Sequence, residues 1–281
     1  MKRAAAGLVI GLAVASGCGT AGGASVAPTA CVPGDRQIGG VRLHLPPQAR
    51  AGARLPLVIG LHGAGGTGEE FEQRTGLSDV GDEEGFATVY PNAASSRRFW
   101  SLNESAHPDD VPRVEAMLDA IEALGCTDPD RVYATGVSNG GGFAARLGCE
   151  LSGRIAAVAP VAGGYRALDR CPGNRRASLL EIHGLADHVV PYRGIPPDYK
   201  GHVPRFVARW ARRDGCSARP VRTHPERGVL RLRYRGCQDG TAVEHLAIAG
   251  LDHGWVFRGS PADVEANEEI WRFFRGRRRA A

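Results

Sequence analysis

A serine stands between two glycines in the segment Gly136-Val137-Ser138-Asn139-Gly140, which has the spacing of a nucleophile elbow. The apolar run before the serine predicts a strand, and the small residues after it predict the start of a helix. A sharp turn between the two would hold Ser138 in a strained backbone conformation, and glycines at positions 136 and 140 would leave room for neighbouring backbone. The motif therefore predicts Ser138 as a nucleophile for acyl transfer.

A glycine-rich turn could supply hydrogen-bond donors for this chemistry. The apolar run Leu57–Leu61 leads directly into this turn, which begins at His62. Acyl transfer builds negative charge on the carbonyl oxygen, and we expect the amides of Asn139 and of Ala64 or Gly65 to stabilise it. The same glycines also match a phosphate-binding GxGxxG loop. A dinucleotide site would need an acidic residue after the next strand, whereas the acidic residues here come before it, so an oxyanion hole is favoured.

An acid and a base are expected further along the chain, in the order serine, acid, histidine. Asp187 and His253 each come just after an apolar run of strand length. Ligand sites in α/β sheets lie at the carboxyl ends of strands, so these positions suit a catalytic acid and a catalytic base. The alternatives are that Asp187 is only a turn residue, or that His188 or His245 is the base. No HExxH cluster occurs, and the sequence predicts neither a metal nor another cofactor.

Short apolar runs alternate with helical patterns, which predicts an α/β fold with a mostly parallel sheet and helices on both faces. The predicted helices are Val111–Leu124, capped by Asp110, and a last helix from Ser260 to about Arg275. The proline-rich residues 191–204 predict a loop above the sheet. The predicted strands are Val41–Leu45, Leu57–Leu61, Phe86–Tyr90, Arg131–Val137, Ile155–Val161, Leu179–His183 and Val243–Ile248.

Composition places the 281-residue chain among globular proteins, with 43% hydrophobic residues and a formal net charge of +5. All basic residues except Lys2 and Lys200 are arginine, a bias that we attribute to a GC-rich genome and not to selection for phosphate contacts. Nucleic acid is therefore not expected as a partner. The only dense basic run follows the last helix. We expect residues 277–281 to form a solvated basic tail.

The first residues have the features of an export signal, with Lys2 and Arg3 followed by an apolar stretch that ends in small residues. The segment Ala15-Ser16-Gly17-Cys18 resembles a bacterial lipobox, which predicts a signal peptide over residues 1–17 and a lipid anchor on Cys18. An ordinary cleavage site before a cysteine is the alternative. Residues 18–35 would form a flexible tether, residues 36–276 the catalytic domain, and the anchor would be the only membrane contact.

Six cysteines remain after Cys18, an even number that suggests three disulfides in an exported protein. Six cysteines allow 15 pairings. The short loops favour Cys216 with Cys237 and Cys149 with Cys171, which leaves Cys31 with Cys126.

Four groups of residues between positions 41 and 275 carry a family pattern: Leu61-His62-Gly63, Asp82–Phe86 with Tyr90-Pro91, Asp128–Gly136 with Ser138–Gly141, and His183–Asp187 with Pro191-Tyr192. Together they resemble the polyhydroxybutyrate depolymerase and feruloyl esterase family of secreted α/β-hydrolases. The resemblance implies an α/β-hydrolase fold and a triad of Ser138, Asp187 and His253. Many relatives read Gly-His-x-Trp-Pro at the histidine, whereas this chain reads Asp-His-Gly-Trp-Val at residues 252–256.

The resemblance implies a serine esterase, acting on feruloyl-type or short hydroxyalkanoate esters through an acyl-serine intermediate. Trp100, Tyr192, Tyr199 and Trp255 lie in or near predicted loops and could form an aromatic wall for the substrate, or simply pack at the rim. An acyltransferase with the same triad and a non-catalytic surface binding lipoprotein are the alternative functions. The sequence leaves the oligomeric state open.

Overall fold

The computed structural model describes residue 1 and residues 31–103, 108–165, 171, 175–197 and 201–279. No helix in these ranges has the length and hydropathy needed to cross a membrane. The described ranges leave out residues 2–17 of the predicted signal peptide, Cys18, most of the predicted tether, Tyr199 and residues 280–281. The strands are β1 (Gly34–Ile38), β2 (Val41–Leu45), β3 (Leu55–Leu61), β4 (Ala87–Tyr90), β5 (Thr127–Val137), β6 (Ala157–Val161), β7 (Ser178–Gly184), β8 (Val221–Thr223), β9 (Val229–Tyr234) and β10 (Val243–Ile248). The α-helices are α1 (Gly68–Thr75), α2 (Leu77–Glu84), α3 (Val111–Glu122), α4 (Asn139–Glu150), α5 (Val203–Arg213) and α6 (Ala266–Phe274).

The strands form one sheet in the order β1-β2-β4-β3-β5-β6-β7-β10-β9-β8. The six strands from β4 to β10 in this order are parallel, and the two strands at each edge pair antiparallel. This mostly parallel sheet, with helices on both faces, confirms the predicted α/β class. The strands predicted from the sequence correspond to β2 to β7 and β10. It missed β1, β8 and β9, which lie at or next to the sheet edges and are only partly buried, so their apolar pattern is weak.

The inner strands are buried on both faces, because successive side chains of a strand point to opposite sides of the sheet. In β3, Leu57 and Ile59 face an apolar layer that includes Leu118 of α3. Val58, between them, faces the opposite layer, which includes Phe274 of α6. The parallel strands are therefore held between two helical layers, and the loops after their carboxyl ends converge at one edge of the sheet.

The last helix begins later than the sequence predicted. α6 starts after Glu265, whose side chain accepts a hydrogen bond from the Asn267 amide, so Glu265 rather than Ser260 caps it. The predicted loop 191–204 also ends early, because α5 already includes Pro204 in its first turn. Proline fits there because the first-turn amides of a helix have no intrahelical acceptor.

The residues after α6 are not the solvated tail that the sequence predicted. The Tyr133 hydroxyl donates to the Arg277 carbonyl (2.6 Å), and the Arg279 amide donates to the Asp130 carbonyl (2.8 Å). The Arg279 guanidinium also pairs with the Asp130 carboxylate at 2.8 Å. The chain up to Arg279 therefore packs beside β5. Its acidic and carbonyl acceptors are distant in sequence, so the basic run alone could not predict them.

Three disulfides tie the described chain together, and their pairs are those that the sequence favoured. The longest loop, with a sequence separation of 95 residues, joins the residues before β1 to the residue that precedes β5. The other two close loops of 22 and 21 residues. The pairs are Cys31–Cys126, Cys149–Cys171 and Cys216–Cys237.

Candidate active site

Ser138 lies at the turn between β5 and α4 in a conformation that L-residues rarely adopt, with φ 58° and ψ −118°. The flanking glycines make this turn possible. A Cβ at Gly136 would lie 2.6 Å from the Leu61 carbonyl oxygen, and one at Gly140 would lie 2.3 Å from the carbonyl oxygens of Leu61 and His62. Both glycines therefore allow β3 to pass directly beside the elbow, as the motif predicted.

Two backbone amides near Ser138 are suitable donors for an oxyanion. Asn139 is the first residue of α4, where amides have no intrahelical acceptor. In the part of the chain that the structure describes, the Ala64 amide has no acceptor either. Gly65, the predicted alternative to Ala64, is less suitable because its amide already donates to the Arg98 carbonyl (3.0 Å). Ala64 and Asn139 are therefore the best placed of the three predicted donors.

His62 fixes the glycine-rich turn that carries Ala64. Its Nε2 accepts a hydrogen bond from the Ala93 amide (3.2 Å), so its Nδ1 carries the proton and donates to the Gly63 carbonyl (2.7 Å). Burial lowers the pKa of His62, in agreement with this neutral ring. The histidine is thus a structural support for the turn.

A loop before α3 is hydrogen-bonded to Asn139, the residue after the serine. The Asn139 side chain accepts a hydrogen bond from the Trp100 amide (2.7 Å) and donates to the Trp100 carbonyl (3.2 Å). Asp110, the predicted cap of α3, instead accepts hydrogen bonds from the Ala94 and Ser101 amides (2.8 and 2.9 Å). Its carboxylate therefore shapes the loop and does not cap the helix, because these loop amides take its oxygens.

Asp187 and His253 meet at the carboxyl ends of the adjacent strands β7 and β10. His253 Nδ1 lies 2.8 Å from Asp187 Oδ2, while Oδ1 accepts the amides of Val189 and Val190 (2.9 and 2.7 Å). Burial alone would raise the pKa of Asp187, but hydrogen bonds from His183 and His253 outweigh burial and hold the pKa well below its usual range. The carboxylate is therefore ionised and oriented toward His253.

Ser138 follows β5, which is separated from β7 in the sheet by the single strand β6. The Ser138 amide donates to the Val161 carbonyl at the end of β6 (3.0 Å). Among the described residues, its hydroxyl has no hydrogen-bond partner. The structure thus joins the acid to the base by a hydrogen bond but not the base to the serine. Catalytic hydrogen bonds to the nucleophile often tighten only when substrate binds.

The two alternative histidines have partners other than Asp187. His188 is exposed and pairs with Asp252 (2.6 Å), on the loop that carries His253. His245 is fully buried, with Nε2 2.9 Å from the Tyr192 hydroxyl and Nδ1 2.6 Å from the carboxylate of Glu181. Neither histidine contacts Asp187, so the geometry favours His253 as the base.

The predicted aromatic wall does not form as expected. Trp100 is 3% exposed and stacks on Phe143, and Trp255 is 7% exposed and packs edge-on against Phe71. Tyr192 is half-buried, and its hydroxyl forms a hydrogen bond with the buried His245. The tryptophans are therefore packed into the protein body. Exposed apolar side chains occur instead on the loops that carry the site, at Phe99, Leu185, Val189 and Phe257.

A cavity of about 530 Å³ lies beside the oxyanion turn. Its walls include Ala64 and Val137, the residue before the serine. Glu70 and Phe71 of α1 also line it. The cavity is thus adjacent to the elbow and to Ala64, one of the two candidate amide donors.

A family model described as esterase PHB depolymerase matches residues 40–190, the segment from β2 to the Asp187 loop. The chain belongs to this esterase family. It is 30% identical over 260 residues to the protein NocK from Nocardia uniformis, with 81% of this chain and 74% of that protein covered. It is 28% identical over 229 residues to feruloyl esterase B from Piromyces equi, with 72% of this chain covered but only 41% of the relative.

The fold agrees with the esterase family. The acetyl xylan esterase from Aspergillus awamori superimposes with a TM-score of 0.61 at 15% identity, covering 83% of this chain and 93% of that chain. At this identity the likeness concerns the fold alone. The likeness confirms the α/β-hydrolase fold, and the family match supports a serine carboxylic ester hydrolase.

Two buried residues next to the acid were not predicted from the sequence. Glu181 and His183 lie on the same face of β7, and His183 Nε2 is 3.3 Å from Asp187 Oδ2. The available signal was a pair of ionisable residues two positions apart in an otherwise apolar strand, where an ionised side chain needs a partner.

Proposed function

We propose that Ser138, His253 and Asp187 are the nucleophile, base and acid of a serine esterase. The observation that carries this proposal is the Asp187 carboxylate, which is bound by backbone amides on one oxygen and by His253 Nδ1 on the other. This arrangement fixes the ring so that Nε2 is the nitrogen available to accept a proton. The strained elbow presents Ser138 at the same edge of the sheet.

In the acylation step, Ser138 Oγ attacks the ester carbonyl carbon while His253 Nε2 accepts the hydroxyl proton. The negative charge on the carbonyl oxygen is stabilised by the amides of Ala64 and Asn139. Collapse of the intermediate breaks the bond to the alcohol oxygen, which takes the proton from His253. The product is a free alcohol and an acyl ester on Ser138.

Deacylation repeats these steps with water. His253 accepts a proton from the water molecule as its oxygen attacks the acyl carbon, and the proton then passes to Ser138 Oγ as that bond breaks. A carboxylic acid leaves and the serine is restored. Asp187 remains ionised throughout and stabilises the imidazolium that forms in each half-reaction.

We propose feruloyl-type or short hydroxyalkanoate esters as substrates. The exposed apolar side chains on the site loops suit an aromatic or aliphatic acyl group, and the cavity beside Ala64 offers space for one part of the ester. The similarity to feruloyl esterase B supports the first class, and the family description supports the second.

The experiment compares hydrolysis of methyl ferulate with that of a soluble 3-hydroxybutyrate oligomer. Ser138→Ala is the blank, and Ser217→Ala, at an exposed serine between α5 and β8, is the matched control. We expect turnover of at least one substrate, its loss in Ser138→Ala with an unchanged circular dichroism spectrum, and full activity in Ser217→Ala. Turnover retained in Ser138→Ala would refute the assignment of the nucleophile.

We further propose that the protein is exported and anchored through a lipid on Cys18. Three disulfides suit an oxidising compartment, and the lipobox-like segment supplies the lipidation cysteine. Cys18→Ala should release the protein from the membrane fraction into the medium. A variant that stays membrane-bound would exclude lipidation at Cys18 as the anchor.

A further inference from the structure

A buried cluster of ionisable side chains lies directly behind Asp187. Glu181 and His183 are two residues apart on β7 and therefore point to the same side of the sheet. His245 of β10 is the register partner of Glu181. The Tyr165 hydroxyl donates to Glu181 Oε1 (3.0 Å). All four residues are at most 1% exposed, so their charges must be balanced within the cluster.

The contacts of His183 define its protonation. Its Nδ1 lies 2.8 Å from Glu181 Oε1, and its Nε2 lies 2.9 Å from the Val190 carbonyl oxygen and 3.3 Å from Asp187 Oδ2. Each ring nitrogen thus faces only acceptors, so each must carry a proton, and the ring is a cation. Burial alone would lower the pKa of His183, but the negative charge of Glu181 and the hydrogen bond to Asp187 raise it.

We propose that His183, kept cationic by Glu181, is a positioning residue for the catalytic acid Asp187. It contacts the same carboxylate oxygen that binds His253, so it fixes the side of Asp187 that faces the base. Its positive charge also balances part of the negative charge that acts on His253. The inference rests on the proposed function of Asp187 and His253.

This arrangement has two consequences for catalysis. Without His183, one of the four donors to the Asp187 carboxylate is lost, and His253 is held less firmly. Without the cation, the uncompensated negative charge favours the protonated form of His253, which cannot accept the serine proton. The acid side of the activity profile should then move to higher pH. The ionisable groups that face this cluster from the packed elements are Tyr165, Glu181, Asp187, Tyr192, His245 and His253.

Three variants separate the parts of the proposal. His183→Gln keeps an N–H donor of similar reach but removes the charge, whereas His183→Leu removes both. Glu181→Gln keeps an oxygen acceptor but removes the negative charge that holds the second proton on His183. The matched control is His245→Asn, which retains an N–H toward Glu181 and, like His245, has no contact with Asp187.

The experiment measures the rate of Ser138 labelling by a fluorophosphonate between pH 5 and 9, with kcat and KM for p-nitrophenyl acetate. We expect His183→Gln and Glu181→Gln to shift the acid-side midpoint of labelling upward by about half a pH unit or more. His183→Leu should also lose about tenfold or more in kcat with little change in KM. His245→Asn should keep the wild-type midpoint.

Other outcomes would overturn the inference. An unchanged midpoint in a folded His183→Gln or Glu181→Gln protein would exclude the charge role, and so would an equal shift in His245→Asn. If the His183 variants do not fold, Glu181→Gln alone decides. Failure of the proposed function gives a different result, because the wild type would then not be labelled at Ser138 at any pH.

Discussion

Replacement of Asp187 by asparagine keeps the shape of the side chain but replaces one acceptor oxygen by an NH₂ donor. The carboxylate accepts four N–H groups, two from backbone amides on Oδ1 and two from histidine rings on Oδ2. An asparagine that keeps its oxygen on the backbone amides must place its NH₂ group against His253 Nδ1. That contact favours the His253 tautomer with its proton on Nε2, which cannot accept the Ser138 proton.

The expected cost follows from this tautomer change. Loss of the base in the correct tautomer typically lowers kcat by about four powers of ten, about 5 kcal/mol of transition-state stabilisation. The free energy of unfolding should fall much less, by about 1–3 kcal/mol, because the cationic His183 loses its contact with the carboxylate and keeps only the Val190 carbonyl as acceptor for Nε2. Activity and stability should therefore separate clearly.

The assay compares kcat for p-nitrophenyl acetate at pH 7 to 9 and the thermal midpoint of wild type, Asp187→Asn and Asp252→Asn. Asp252 is the neighbouring acid; it is exposed, and its Oδ1, which asparagine retains, accepts the His253 amide. We expect Asp252→Asn to stay within about threefold of wild type, since exposed pairs contribute little. A folded Asp187→Asn protein that loses less than tenfold in kcat, or an equal loss in Asp252→Asn, would refute the reasoning.

Gly140→Ala places a Cβ 2.3 Å from two backbone carbonyl oxygens, so α4 must shift and kcat should fall about a hundredfold or more. Gly153→Ala, with no atom within 4 Å, is the control, and equal kcat values would contradict the account. Burial raises the pKa of Asp214 to about 7, whereas its value in the unfolded chain is 3.8. The unfolded state therefore loses this proton first, and the free energy of unfolding falls as the pH rises from 3.8 to 7. In denaturant unfolding, Asp214→Asn should raise the free energy of unfolding by up to about 4 kcal/mol at pH 8 and little at pH 4; an equal change at both would contradict this. Replacing Cys31 and Cys126 by serine opens a 95-residue loop and should cost about 4.7 kcal/mol in denaturant unfolding, against about 3.3 kcal/mol for the 21-residue disulfide; the reverse order would contradict it.

The central strands and the three candidate catalytic residues were predictable because their signals are local. Ser138 lies in a short motif that needs glycines at fixed positions, and the contacts at Gly140 show why. Asp187 and His253 could be selected because each follows a strand, and parallel strands end at the same edge of a sheet. The edge strands β8 and β9 were not predictable, because their half-exposed faces carry no continuous apolar run.

The rest of the site depends on partners that are distant in sequence. Trp100 looked available for substrate, but it stacks on Phe143 and donates to the carbonyl of residue 62, so it is packed into the protein body. The support of Asp187 by His183 requires Glu181 to carry a compensating charge, which only the strand geometry reveals. Spacing along the chain contains no information on such contacts.

The most direct test of the central claim is identification of the acylated residue. The enzyme is mixed with p-nitrophenyl acetate, quenched in acid within the first turnover, and digested for peptide mass mapping. We expect an acetyl group on the peptide that contains Ser138, and none on the corresponding peptide of Ser138→Ala. An acetyl group that accumulates on another residue, with turnover retained in Ser138→Ala, would contradict it.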